Sequence, residues 1–589
     1  MTLSISNIEH RQSTIDNPIR AMKSILISYS PKVLQSYSLT VLLLLLLSLN
    51  AAGQGKSEEV TIIAPYIPTI GNAVKIPARP ELTPEEEQNQ TFEYDYVSRK
   101  VETKLELDPI EPLKYNIGDN EQLYRNFAKI GFGNYVTPYF DFMASSLQSE
   151  KYQFGARLKH LSSQGKIKEY PPSAYSHSLI SVFGKTFTKT HTLSADIGYN
   201  YDVVHHYGFR PDSFPETDYT KDDLRQRFQD IHGNIELSSN FREKYNLNHS
   251  FKLGMHYYSD LYDTRESEIS FMINLDKSFN TRGNDFDHSF ALDFGIDAFG
   301  YKDSVTSSNP FYIPIYPAYH FAFGQYRFEA GFRIEMASLE NVDGSSFGID
   351  VFPVLKAEVI VIEDQLKAFA EISGNRKYNS FRSLTGTNPF IISTPEILYT
   401  DEEIKVGGGI TGNFDGLNFT ADAFYSYMDD MPLFVTDTSL ALQNQFDVIY
   451  DNVNLLKVRA SLGYVKINGL TARLLATYFH YIPKNEEKAW QLPNFEIGLD
   501  AGYTIKEKYT LRASLLALGT KYAKTYQDDI LISAKMKGAL DLGAGFEYQI
   551  NRMVAAYIDV NNILNQHYQR WYEYPVQGIL VMAGAKISF

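Results

Sequence analysis

The sequence predicts an all-β protein: a single transmembrane antiparallel β-barrel of about 22 strands behind a short Pro-rich tail. Apolar and polar residues alternate over most of the chain, and short turns alternate with long polar loops. Outside a leader near the N-terminus, no apolar run reaches the roughly 18 residues that a membrane-spanning helix needs. The 42 Tyr and 38 Phe, against 2 Trp, form an aromatic composition typical of strands.

Residues 1–55 have the pattern of an export signal. Two lysines precede the mostly apolar run Leu39–Leu49, and small residues follow it at 51–53. Because residues 1–21 are polar for a leader, Met22 is an alternative start. The chain contains no Cys, which excludes disulfides, thiol chemistry and a lipid-bearing cysteine.

Residues 56–120 are predicted to be a Pro-rich periplasmic tail. Four prolines between residues 68 and 84, followed by the acidic run Glu85–Glu87, disfavour a helix or an interior strand. Near the start of this tail lie five residues, most of them β-prone, Glu59, Val60, Thr61, Ile62 and Ile63. Two interpretations stay open for them, a solvated linker or a strand that docks on a periplasmic partner.

Residues 121–589 are assigned to the barrel, and the alternation is clearest at their C-terminal end. Every second residue is apolar in the series Ile579, Val581, Ala583, Ala585, Ile587 and Phe589, and Gly584, Lys586 and Ser588 fall between its later members. A dry protein core would not tolerate charges on the second face. The pattern therefore predicts lipid outside the barrel and water inside.

The connections also alternate in length, which predicts the topology. Short turns are expected at 148–151, 188–191, 242–244, 324–325, 363–364, 415–416, 468–469, 506–508 and 551, where Asp-Gly and Asn-Gly are typical hairpin turns. Longer polar loops are expected at 205–227, 376–403, 429–454 and 564–576. Outer-membrane barrels place short turns in the periplasm and long loops outside, so the bacterial outer membrane is the expected location.

Motifs of soluble chemistry are weak in this sequence. Gly344–Gly348 matches a nucleophile-elbow pattern but enters a strand instead of a strand-turn-helix. The adjacent His205 and His206 point to opposite faces if extended, so an ordinary loop is favoured over a metal site. The carboxylates of Asn284–Asp287 fit a turn. No catalytic, cofactor or metal residues are expected, and the net charge of −15 argues against nucleic-acid binding.

Aromatic residues near the strand ends are expected to form interfacial girdles at the lipid boundary. The examples are Tyr135, Tyr139, Tyr257, Tyr258, Phe311, Tyr312, Tyr478 and Tyr481. Binding of sugar by such aromatics in the lumen is the alternative.

Two stretches resemble a known family. Tyr557–Asn565, with Tyr568, Trp571 and Tyr574–Gly578 and a last strand ending at Phe589, looks like the C-terminal end of TonB-dependent receptors. Phe127–Pro138 resembles the first barrel strands of Bacteroidota members of that group. The resemblance implies uptake across the outer membrane, a TonB-box role for Glu59–Ile63, and recognition of Phe589 by the barrel-assembly machinery.

The family fills its barrel with a globular plug, whereas only roughly 65 residues separate the leader from the first predicted strand. The lumen is therefore expected to be filled by the tail, by loops such as 376–403, or by a partner protein. Three functions stay open: a TonB-linked receptor or transporter, a plugless structural component of an outer-membrane assembly, and a passive channel. The expected partners are outer-membrane lipid, the assembly machinery, and TonB or other periplasmic or outer-membrane proteins.

Overall fold

A computed structural model describes residues 124–146, 149, 151–241, 243–279, 286–341, 344–527 and 530–589. The predicted signal peptide, residues 1–55, and the predicted tail, residues 56–120, lie outside the described residues. The same holds for Glu59–Ile63, so their assignments stay predictions.

The described chain is almost entirely β-structure. The strands are β1 Asn126–Gly133, β2 Thr137–Ser145, β3 Tyr152–Ser163, β4 Tyr175–Phe187, β5 His191–His205, β6 Arg225–Ser239, β7 Leu247–Ser259, β8 Arg265–Phe279, β9 Phe286–Lys302, β10 Ser307–Ser308, β11 Phe311–Phe323, β12 Tyr326–Asn341, β13 Gly344–Ile362, β14 Leu366–Tyr378, β15 Tyr399–Phe414, β16 Leu417–Thr436, β17 Phe446–Tyr464, β18 Leu470–Pro483, β19 Phe495–Ile505, β20 Tyr509–Leu518, β21 Lys521–Gln527, β22 Ile530–Met536, β23 Ala539–Gln549, β24 Val554–Asn561, β25 Gln569–Trp571, β26 Tyr574–Pro575 and β27 Leu580–Ser588. One α-helix, α1, covers Phe381–Thr387, and a 3-10 helix covers Pro211–Ser213.

Twenty-two of these strands form one closed antiparallel barrel. The main sheet contains 23 strands, of which the two-residue β10 is a short attachment to β9. Each barrel strand pairs with the next one in the chain, and β1 pairs with β27 over the register from Phe127↔Ser588 to Gly133↔Met582. The predicted fold class and strand number are confirmed.

The two ends of the barrel differ in the length of their connections. One end carries short turns such as 324–325, 415–416 and 506–508, and it also holds the start of β1 and the end of β27. The other end carries long loops, among them 206–224, 379–398 and 562–579. Since short turns are periplasmic in outer-membrane barrels, the long-loop end is the outer end.

The loop predicted at 429–454 is shorter than expected. Residues Met431–Thr436 of β16 pair with Phe446–Asp451 of β17, so the loop itself covers only 437–445. Most of the acidic and polar residues that suggested a loop instead lie in the outer parts of these two long strands and at the bulge between Met428 and Met431.

The outer surface of the barrel is apolar, as the alternation predicted. Ile130 and Phe132 on β1 are 49% and 61% exposed, and Ile197 on β5 is 60% exposed. The alternate residues of each strand face the lumen, as does Lys129 next to Ile130, which makes a polar contact with Asp559 there. This exterior is a surface for lipid contact.

Strand length varies around the ring. The strands β13, β16 and β17 have 19, 20 and 19 residues, whereas β1, β24 and β27 have 8, 8 and 9. The wall is therefore tall on one side and low beside the closing pair of strands.

No helix in the described ranges is both long enough and apolar enough to cross a membrane.

Candidate functional site: the lumen and the loop across its mouth

The inner wall carries linked charges beside the closing strand pair. Arg512 on β20 donates to Glu547 on β23 at 3.0 Å and to Asp559 on β24 at 2.7 Å. Lys586 on β27 also donates to Glu547, and Lys129 on β1 lies 3.5 Å from Asp559. One ionic network therefore runs across five consecutive strands of the ring.

The described part of the lumen wall encloses a cavity toward the end with the short turns. A cavity of about 1200 Å³ lies against the inner wall between β14 and β24. Its lining mixes cations and anions, for example Arg473, Asp500 and Lys367, with hydroxyl groups such as those of Thr411 and Ser514. Such a surface is solvated, and it can contact polar or charged molecules that enter it.

The loop between β14 and β15, residues 379–398, folds into the outer opening of the barrel; we call it the mouth loop. Its helix α1 begins under the Glu266 carboxylate of β8, which accepts the backbone N–H groups of Phe381 at 2.6 Å and Arg382 at 3.4 Å. The Arg382 guanidinium donates to Glu268 at 2.8 Å. The first half of the mouth loop is thereby fixed to β8.

A second anchor is the buried carboxylate of Asp260, in the connection between β7 and β8. It accepts from Ser393 of the mouth loop, from Gln226 Nε2 at 3.1 Å and from the Thr264 amide at 2.9 Å. Burial raises the pKa of Asp260 above its usual range, and the hydrogen bonds from Ser393 and Thr264 oppose that shift. Thr264 Oγ1 also donates to the Ser393 carbonyl at 2.7 Å. The connection between β7 and β8 therefore binds Ser393 through both its side chain and its backbone.

The mouth loop reaches β17, which lies far around the ring from β7 and β8. The Phe446 amide donates to the Phe390 carbonyl at 3.0 Å, and the Ile392 amide donates to the Phe446 carbonyl at 2.9 Å. Tyr450 on the same strand donates to the Glu396 carbonyl at 2.9 Å. The loop therefore spans the opening from one wall to another.

The outer loop 562–579 also contacts the mouth loop. The Tyr574 ring stacks on Phe390 with centroids 3.8 Å apart, and Tyr207 meets both rings edge-on. Tyr574 also donates to the Asn444 carbonyl, while Asn444 donates to the His206 carbonyl at 2.6 Å. Three other outer connections thus contact the mouth loop, and Asn444 of the 437–445 loop links two of them.

The buried side chains of this region form one aromatic core, the mouth cluster. Its members are Val204, Phe228, Tyr258, Phe299, Tyr301, Ala337, Tyr378, Phe381, Leu384, Ile391, Ile397, Tyr399, Phe434, Phe446, Val448 and Tyr574. Full burial of each large apolar side chain contributes about 1.5–3 kcal/mol. Of the fillers that the sequence left open, the structure shows the 376–403 loop in place at the outer end.

Replacing Asp260 by Asn is expected to loosen the mouth loop. The amide keeps the size of the side chain, but its NH₂ group faces hydrogen-bond donors. We expect backbone amides of residues 390–396 to exchange with deuterium about tenfold faster, the effect of losing about one charge-assisted hydrogen bond. Asp263→Asn is the control. Asp263 lies in the same connection, its side chain is exposed, and it forms an ion pair with Arg265 and not with the mouth loop. Equal exchange in the two variants would contradict the anchoring role.

The sequence-predicted site residues fall in different places. Glu59–Ile63 lie outside the described residues. Phe589 follows β27 with a half-exposed side chain, and its backbone exchanges two hydrogen bonds with Asn126, at 2.9 and 3.1 Å. The terminal aromatic residue thus sits on the seam where the barrel closes.

The adjacent histidines do not form a joint site. His205 Nδ1 contacts the Ala174 carbonyl at 2.6 Å, whereas His206 is buried and neither ring nitrogen has a hydrogen-bond partner. Burial lowers the pKa of His206 to about 3, so its ring is a neutral packing group beside Phe390. Gly344–Gly348 lies in β13, as a strand entry and not an elbow.

Of the aromatic residues predicted for the interfacial girdles, some lie on the outer surface and others do not. Tyr257 and Tyr478 are 44% and 46% exposed on the outer surface. Tyr258 instead belongs to the mouth cluster, and Tyr312 packs against it. Tyr139 faces the lumen, where the Lys129 ammonium lies 5.4 Å from its ring centroid. Successive residues of a strand point to opposite faces, so the sequence already indicates that Tyr257 and Tyr258 cannot both face the lipid.

The solved structures to which this chain is similar include outer-membrane receptors and transporters. The FrpB iron transporter from Neisseria meningitidis aligns with a TM-score of 0.61 at 11% identity, over 80% of this chain and 82% of its own. The pyoverdine outer membrane receptor FpvA from Pseudomonas aeruginosa gives 0.60 at 12%, over 80% and 79%. The ferric-catecholate import receptor Fiu from E. coli gives 0.60 at 9%, over 79% and 82%.

No protein-family model matches the sequence, and no curated protein matches it. The likeness to the solved structures therefore defines a class by fold: large outer-membrane barrels of 22 strands. The closed ring with its lipid-facing exterior places this chain in the bacterial outer membrane.

Proposed function

We propose that this protein is a TonB-dependent receptor-like barrel of the Bacteroidota type that takes up a substrate across the outer membrane. The observation that carries the proposal is a wide, charged lumen whose outer opening is crossed by the chain's own mouth loop. An uptake receptor needs such a barrier at rest and a means to move it. The fold shared with FpvA, Fiu and FrpB supports the same class of role.

The two rival functions fit this arrangement less well. A passive channel needs a continuous water path, and the mouth cluster buries Phe381, Leu384 and Ile391 to 3% exposure or less in the middle of the opening. The small number of residues before the first strand favours a structural barrel in a larger assembly, whose partners would close the lumen. The mouth loop supplies a barrier at the outer opening from within the chain, which weakens the need for such partners.

In this proposal the tail segment Glu59–Ile63 acts as a TonB box. A short extended segment pairs with an exposed strand of its partner through backbone hydrogen bonds, and this mode suits its β-prone residues. The C-terminal Phe589 is proposed as the residue that the barrel-assembly machinery reads. Its position at the closing seam is compatible with recognition before the seam forms.

Deleting residues 59–63 is expected to abolish capture by TonB. The full-length protein in mild detergent is incubated with the immobilised periplasmic domain of TonB from the same bacterium, and the bound fraction is measured. We expect a loss of at least about tenfold, because the deletion removes the pairing strand. Deletion of 86–90, a polar stretch of the same length in the same tail, is the control, and this variant should bind as the unmodified protein does.

Capture of the 59–63 deletion at the level of the unmodified protein would contradict the TonB-box assignment. If the unmodified protein instead retains other outer-membrane proteins in stoichiometric amounts and ignores TonB, the structural-component function replaces uptake.

A further inference from the structure

A cluster of one aspartate and two histidines lies on the lumen wall, apart from the ionic network beside the closing strands. Asp230 and His232 stand two residues apart on β6, and His256 on β7 is directly opposite His232 in the antiparallel register. One possible ligand atom from each residue lies within 4.8 Å of the other two. The side chains are only 14%, 20% and 22% exposed, so they are held in place by the wall.

The spacing of these atoms suits a coordinated ion. Asp230 Oδ2 lies 3.4 Å from His232 Nδ1, and Asp230 Oδ1 lies 3.2 Å from His256 Nδ1. A tetrahedral ion about 2.1 Å from each ligand holds its ligand atoms about 3.4 Å apart. The two imidazole rings have their centroids 5.6 Å apart, so the two side chains are neighbours on the wall, and a rotation of the rings would bring a nitrogen of each to one ion.

One nitrogen of the group has no other role in the wall. His232 Nδ1 is buried and forms no hydrogen bond, in spite of the nearby carboxylate. The glycine at position 198 on β5 makes room for the ring, since a Cβ there would lie 2.3 Å from His232 Nε2. Asn200 donates to Asp230 Oδ2 at 3.3 Å, which is the usual support of a metal-binding carboxylate.

We propose that Asp230, His232 and His256 bind a divalent transition-metal ion on the lumen wall. Two imidazoles and one carboxylate favour Zn²⁺ and its first-row neighbours over Mg²⁺ and Ca²⁺, which prefer all-oxygen ligand sets. The three side chains leave at least one coordination position toward the lumen. The bound ion links β6 to β7 and offers an exchangeable site to water or to an anionic group. This proposal does not depend on the uptake function.

The test is a Zn²⁺ titration of the full-length protein in mild detergent after chelator treatment, followed by calorimetry. A second titration uses Co²⁺, whose visible absorption reports imidazole and carboxylate ligation. We expect one ion per chain, binding more than about 100-fold weaker in His232→Ala, and about tenfold weaker in Asn200→Ala because a supporting hydrogen bond is lost.

His177→Ala is the matched control. His177 also faces the lumen and contacts a carboxylate, Asp202, at 2.9 Å, but it lacks a second imidazole. Its loss should leave Zn²⁺ binding unchanged. Should His232→Ala fail to fold, as judged by heat-modifiable migration on a gel, His256→Gln keeps the side-chain size and carries the same expectation. Absence of saturable binding by the unmodified protein, or unchanged binding in the folded His232 and His256 variants, overturns the site.

Discussion

Removal of the mouth loop is expected to turn a closed barrel into an open channel. In the variant, a Gly-Gly turn replaces residues 381–396. The strands should tolerate this change, because the Asn379 amide already donates to the Leu398 carbonyl at 3.2 Å and joins the two ends of the loop. The deletion removes Phe381, Leu384 and Ile391 of the mouth cluster from the opening, so we expect the charged inner wall to line a continuous water path.

The measurement is single-channel conductance in planar bilayers. We expect mostly closed recordings from the unmodified protein and stable open steps from the variant, with a mean current at least about tenfold higher, as for barrels with water-filled lumens. The control shortens the neighbouring outer loop 206–224 at residues 215–217, where Pro215 and Glu216 are exposed. It should stay closed.

A variant that remains closed would show that something other than the mouth loop blocks the lumen. Stable conductance by the unmodified protein would instead favour the passive channel and remove the main support of the uptake proposal.

The second large effect is expected at the closing seam. Gly584 on β27 pairs with Gly131 on β1, and a Cβ at Gly584 would lie 2.0 Å from the backbone carbonyl oxygen of Ile130. The ring of Tyr557 covers both glycines from the lumen side. Because the obstacle is backbone, a side chain at 584 cannot be accommodated without separating the two strands.

We therefore expect Gly584→Val to prevent closure of the barrel. The folded, heat-modifiable form in the outer membrane should fall to less than about a tenth of the normal level, since a clash with backbone exceeds the 1–3 kcal/mol of ordinary overpacking. Gly498→Val is the matched control. Gly498 also faces the lumen from the middle of a strand, β19, but a Cβ there meets no atom within 4 Å. Normal levels of folded Gly584→Val would contradict the close packing at the seam.

The wall of the barrel could be predicted because its signals are local. A turn such as Asp415-Gly416 is specified by its own two residues, and both adopt positive φ in the structure. The outward residues of a strand are specified by a period of two, as in Ile130 and Phe132. Strand number followed directly from the count of turns and loops.

The mouth loop could be suspected only from its length. Its anchors are distant in the chain: Glu266 meets Phe381 across 115 positions, and Asp260 meets Ser393 across 133. In the sequence, Glu266 and Asp260 look like any other polar residues of the inner wall. No local pattern shows which of them will lie under a loop that folds back.

The proposed metal-binding group could not be predicted from the sequence, because it depends on the pairing register of two strands. Asp230 and His232 share a face by their spacing, which is visible in the sequence. His256 joins them only when β6 and β7 pair correctly. The adjacent His205 and His206 are more conspicuous in the sequence, although their side chains point apart.

The unequal height of the wall bears on the membrane around it. A strand needs about nine to eleven residues to cross the hydrocarbon layer at the usual tilt, and β1 and β24 have eight each. β16, with 20 residues, extends well beyond the lipid. The bilayer has to become thinner beside the short strands, since exposed backbone is costly in hydrocarbon. The lipids next to the first and last strands are therefore expected to be the most deformed of the annulus.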